Sequence, residues 1–149
     1  MQIPDKIQLG ILVITVIGLF IAIISNRNQL KLFNKQLKLN FFADYTKRYQ
    51  KIILNFPEII NRQDFSFDKL PEDIRNKTLR YMRVYFDLCS EEFDLWSSGY
   101  LDSRIWNNWK EGIEFACSKK AFKDAWKIIK LDTKYYPLFG KWMEDIINR

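Results

Sequence analysis

Three carboxylates, Asp87, Glu91 and Asp94, recur at helical spacing with Glu92 beside them. Paired carboxylates can exchange protons or hold a divalent cation, so this is the first place to look for chemistry. The simpler reading is an exposed acidic helix face, and a third is a contact surface. A second constellation is basic: Lys119, Lys123, Lys127, Lys130 and Lys134 form a stripe at three- and four-residue spacing. The two stripes could meet inside one molecule or between two copies. Exposed ion pairs contribute roughly 0–1 kcal/mol each, so such a meeting would set orientation more than stability.

The sequence has no histidine. That excludes Ser-His and Cys-His nucleophile systems and histidine-ligated zinc, haem and di-iron sites. The two cysteines, Cys89 and Cys117, match no metal-ligand spacing and are expected as buried, reduced thiols. No catalytic residue, cofactor site or metal site is assigned. Neither a cofactor nor a small-molecule substrate is expected.

These residues need helices to position them. The chain is 149 residues long, 48% hydrophobic, 28% charged and 16% aromatic, with only five glycines and four prolines. That composition suits one modest folded domain and leaves too few turn residues for an all-β fold. All five tryptophans (Trp96, Trp106, Trp109, Trp126, Trp142) fall in the C-terminal third, where large rings help a small domain fill its core.

Residues 9–24 carry no charge, and twelve of these sixteen positions are Leu, Ile, Val or Phe. At roughly −0.3 to −0.6 kcal/mol each, they favour insertion into a bilayer. As a helix, Ile7 to Ser25 spans roughly 28 Å, close to the ~30 Å hydrocarbon core. A cleaved signal peptide would need a basic start and small residues before the cut, whereas Asp5 offsets Lys6 and the run ends Ile23-Ile24-Ser25. The reading is therefore a single transmembrane anchor over residues 1–25. Gly18 and Ala22 form a small-xxx-small pair suited to helix packing in a membrane.

Arg27, Lys31, Lys35 and Lys38 follow the anchor before any acidic residue. By the positive-inside rule, the C-terminal part then lies in the cytoplasm, at the inner membrane, with the N-terminus outside. These four residues are also candidates to face lipid. From Arg27 to Lys51, seven basic residues and one acid, Asp44, give +6, the net charge of the whole chain. Residues 52–149 are balanced, sixteen against sixteen, which argues against a nucleic-acid footprint on the domain.

Residues 26–56 are expected as a basic juxtamembrane helix with Leu30, Phe33, Leu37, Phe41, Tyr45, Tyr49, Ile52 and Phe56 on one face, stopped or kinked by Pro57. Residues 57–71 are expected as an irregular connection with a short helical turn at Glu58–Asn61. Residues 72–149 then form an aromatic-rich helical domain. Its helices are expected from Pro71 to about Ser98, closed by Gly99; from Asp102 or Ser103 to 117; from a Ser118 cap over about 119–131; and from Pro137 to about Asn148. The fold class is all-α, an N-terminal transmembrane helix continuing into a bundle of about five helices.

The run Tyr85-Phe86-Asp87-Leu88-Cys89-Ser90-Glu91-Glu92-Phe93, then Gly99-Tyr100-Leu101-Asp102, Trp106, Trp109, Gly112, Phe122, Trp126, Tyr135-Tyr136 and Phe139, resembles a loosely related group of short bacterial proteins. Members of that group have one N-terminal membrane helix and a helical cytoplasmic domain. The resemblance covers roughly residues 79–147 and implies a bacterial or phage-borne origin. It carries no activity, cofactor or catalytic residue. Three functions remain in competition: a tethered module that recruits or regulates a protein partner, a self-associating structural or effector membrane protein, and a histidine-free enzyme using Asp87, Glu91 and Asp94.

Overall fold

The structure, a computed structural model, describes residues 4–149, without the side chain of Lys6. Five α-helices follow one another: α1 (Asp5–Ile53), α2 (Glu72–Ser97), α3 (Ser103–Cys117), α4 (Lys120–Ile129) and α5 (Pro137–Ile147). Among the described residues there is no strand. The all-α architecture, a long apolar N-terminal helix and a small bundle, is the expected one.

The chain forms two compact units, Met1–Thr46 and Lys47–Arg149. The first unit is the greater part of α1. Its apolar side chains from Ile7 to Ile24 stand exposed, from 45% for Val16 and Ile23 to 71% for Ile14. A soluble core helix would bury one side; this helix buries none of its apolar window, and it is long and apolar enough to cross a membrane. The juxtamembrane helix was expected to reach residue 56. It ends at Ile53, four residues before Pro57. Its final turn tightens as Asn55 and Phe56 amides reach back only three residues, and the Asn55 side chain donates to the Lys51 carbonyl at 2.9 Å. The residue preceding a proline avoids the helical region, so the chain leaves the helix early.

In the second unit the bundle is built by α2, which packs against α3, α4 and α5. Tyr85, Phe86, Leu88, Cys89 and Phe93 of α2 are buried, with Trp106 and Ile113 of α3, Phe122, Trp126 and Ile129 of α4, and Phe139, Met143 and Ile146 of α5. Rings interlock at the centre: Phe93 lies 5.8 Å from Trp106, 5.8 Å from Phe139 and 5.3 Å from Trp142, and Phe86 lies 5.1 Å from Trp126. Ile74 and Trp96, expected inside, sit toward the two ends of α2 and are 39% and 36% exposed, although the Trp96 ring stacks on Trp106 of α3 at 5.0 Å.

Helix ends follow local chemistry. Gly99 adopts φ +78°, and the amides of Gly99 and Tyr100 bond to the carbonyls of Trp96 and Leu95, closing α2 in a Schellman turn. Asp102, of the two candidates, caps α3, accepting from the Arg104 amide at 2.9 Å. Ser118 does not cap α4. Its hydroxyl donates to the Phe115 carbonyl at 2.7 Å, so it closes α3, and α4 starts at Lys120 without a side-chain cap.

The connection over 57–71 is more ordered than expected. A 3-10 turn at Glu58–Asn61 is present as read, but a second follows at Phe67–Lys69, where the Ser66 hydroxyl accepts from the Asp68 amide. Ile60, Phe65 and Phe67 are buried. Phe65 and Phe67 pack edge to face at 4.8 Å. This segment is therefore part of the core.

Candidate functional site

Asp87 and Glu91, one turn apart on α2, come together on one wall of an open groove of about 460 Å3. Ser90 lies between them, and the connection from α4 to α5 supplies the opposite wall through Thr133, Lys134, Tyr135, Tyr136 and Pro137. Arg83, one turn before Asp87, pins that connection. Its guanidinium engages both carboxylate oxygens of Asp132, one at 2.9 Å, and also donates to the Thr133 hydroxyl.

Partial burial raises the Asp87 pKa, against the opposing pull of Tyr135 and Arg83. The Tyr135 hydroxyl is buried without a hydrogen bond of good geometry; burial, then the Asp87 charge, drives its pKa well up, so it stays a protonated phenol. Glu91 is anchored by a bidentate pair with Arg48 from the last turns of α1, at 2.7 and 3.1 Å. Asp94 is exposed and lies outside the groove; its backbone carbonyl accepts from the Ser97 hydroxyl at 3.0 Å. The three acids therefore do not form one constellation: Asp87 and Glu91 share a groove, and Asp94, three residues past Glu91, lies outside it.

The fourth acid is the unusual one. Glu92 points inward, only 7% exposed, and burial pushes its pKa up to about 8, opposed by Arg48 and reinforced by Glu91. Its spacing beside the acidic stripe was legible, but its burial was not. Tyr49 is also raised by burial first and then by Cys89 and Glu92. Cys89 and Cys117 are free and buried, as expected; burial raises both thiols, Cys117 to about 12.

The basic stripe is dispersed into separate pairings. Lys119 donates to Asn61 at 2.7 Å and stands 5.0 Å from the centre of the Phe115 ring. Lys127 pairs with Asp124 at 3.5 Å, and Lys120, outside the expected stripe, pairs with the same carboxylate. Lys130 meets Glu144 at 2.9 Å, on the oxygen that also accepts from the Trp126 indole at 2.9 Å. These two contacts hold the Glu144 pKa below its ordinary value. Lys123 is half-buried. Lys134 alone of the five joins Asp87 and Glu91, in the groove; the two stripes do not meet as faces.

A second cleft, about 240 Å3, was not foreseen. Tyr49, Ile53 and Phe56, the turn at Glu58–Asn61, and Phe115, Lys119 and Phe122 line it. It depends on residues more than fifty positions apart, which no local spacing reveals.

In the first unit, Gly18 and Ala22 are exposed, and space around Gly18 is open. Arg27, Lys31, Lys35 and Lys38 are all exposed. Among the described residues, no three Cys, Asp or Glu side chains converge so as to hold a metal ion. No protein-family model, curated protein or solved structure matches the chain. What the C-terminal unit presents is a groove of carboxylates, hydroxyls and tyrosine rings, with Tyr136 in its wall at 60% exposure; Leu138, next in sequence to the groove residue Pro137, is 69% exposed. That combination suits contact with a polar partner surface carrying apolar anchors.

Proposed function

We propose that this chain is a membrane-anchored helical module that recruits or regulates a protein partner at the cytoplasmic face of the inner membrane. The observation that carries it is the apolar stretch of α1: a helix exposing every large apolar side chain from Ile7 to Ile24 needs a hydrocarbon environment. The flanking Arg27, Lys31, Lys35 and Lys38 support the orientation, since positive flanks are retained on the cytoplasmic side. The groove beside Asp87 and Tyr136 supports the recruiting role.

Crosslinking in intact membranes, followed by purification of the tagged full-length chain and mass spectrometry, tests this reading. The expected result is one recurrent heterologous protein, lost in an Asp87→Asn/Tyr136→Ala/Leu138→Ala variant that remains folded. Recovery of the chain alone, as a defined multimer, would favour a second reading. That reading, a self-associating membrane protein, draws on the exposed Gly18–Ala22 pair and on Leu30, Phe33 and Leu37, which are exposed along one helix face.

A further inference from the structure

The densest uncompensated run of charge in the sequence, residues 27–38, lies on the first unit. Arg27, Lys31, Lys35 and Lys38 are exposed, and none has an acidic partner among the described residues. In the second unit six cations, Arg48, Arg83, Lys120, Lys127, Lys130 and Arg149, pair with carboxylates, and acids are interspersed with the other basic residues along the sequence. At 3.6 residues per turn, the four unpaired positions fall within about 80° of the helix circumference. They are a one-sided stripe, and α1 runs through them without a break from the apolar stretch. No acid lies between Arg27 and Lys38.

We infer that this stripe binds the anionic headgroups of the leaflet on the C-terminal side of the anchor. The inference rests on the membrane-spanning reading above and adds a ligand chemistry to it: lipid phosphate without a compensating cation. Rise along the helix makes the binding graded. Measured from Ile24, Arg27 lies about 4.5 Å along the axis, Lys31 about 10 Å, Lys35 about 16 Å and Lys38 about 21 Å. The headgroup layer extends about 5–8 Å beyond the hydrocarbon. Arg27 lies within it, and Lys31 reaches it with its flexible stem. Lys35 and Lys38 act across water, where salt screens beyond about 8–10 Å. A one-sided stripe also favours tilting the helix toward that side, which brings the outer two lysines nearer the surface.

The test uses the full-length chain reconstituted in vesicles of phosphatidylcholine, with and without phosphatidylglycerol, and spin-labelled forms of each lipid to report relative association. The expected result is a preference for phosphatidylglycerol, with about fivefold contributed by each residue that reaches the headgroups. Arg27→Gln and Lys31→Gln should lose most, Lys35→Gln less and Lys38→Gln least, and raising salt should remove the contribution of the outer two first. Lys127→Gln should leave the preference intact. A chain that inserts but shows no preference, or equal losses at all four positions, would overturn the inference while leaving the anchor standing. Losses confined to Lys35 and Lys38 would contradict the graded depth that the helix rise sets and overturn the inference as well. Failure to insert into phosphatidylcholine alone would overturn both the anchor and the lipid stripe.

Discussion

Glu92 gives the C-terminal unit a pH dependence. Its carboxyl titrates near 4.5 when the chain is unfolded and near 8 when folded, because burial disfavours the charge. The folded state therefore holds the proton more tightly. The stabilisation is fully present below about pH 4.5 and is lost as pH rises through 8. Glu92→Gln should flatten that decline and leave the variant more stable at pH 8, by an amount on the order of a few kcal/mol. Urea unfolding from pH 5 to 9 reads it, and a variant with an unchanged pH slope would contradict it. Cys89 and Cys117, 1% and 0% exposed with raised pKa values, should resist a thiol reagent at neutral pH until the chain unfolds. Fast labelling of the native protein would contradict their burial. A labelling experiment on membrane orientation therefore needs a cysteine introduced at an exposed site.

Helix boundaries repeat a different lesson. Gly99 and Asp102 end one helix and start the next through chemistry visible in their types: one permits positive φ, and the other offers a carboxylate to an amide. Gly99→Ala should destabilise by about 1 kcal/mol or slightly more, measured by thermal unfolding. Open space surrounds the position, so the cost is conformational and not steric. Ser118 shows the limit of such reasoning. A serine between two helices can serve either one, and here it bonds backward to Phe115. The 57–71 segment shows another limit, because its periodicity is broken although Ile60, Phe65 and Phe67 all reach the core.

At the scale of the molecule, the two units meet opposite demands. One exposes apolar side chains along its helix; the other gathers them around Phe93, Trp126 and Phe139. Phe139 is fully buried and contacts rings from both α2 and α4, so Phe139→Ala should cost about 3–5 kcal/mol in the unfolding of the C-terminal unit. Chemical denaturation followed by tryptophan fluorescence measures it. A loss under 1 kcal/mol would mean that the core relaxes around the gap.

The sequence by itself determined what depends on near neighbours. An uncharged run of apolar residues, the three- and four-residue spacing of rings and the placement of Pro137, Gly99 and Asp102 act within a few turns of the chain, so helix identity and the all-α class were legible. The charge imbalance of the juxtamembrane stretch was legible for the same reason. Pairing across long separations was decided only by the tertiary structure. Arg48 binds Glu91 from forty-three positions away and Lys119 reaches Asn61 from fifty-eight, which divides the acidic face and disperses the basic one. Adjacent acids on α2 looked alike in sequence, yet Glu91 faces Arg48 at the surface while Glu92 turns into the core. One residue is a 100° rotation about the helix axis, and only the neighbours packed around that axis decide which side is water.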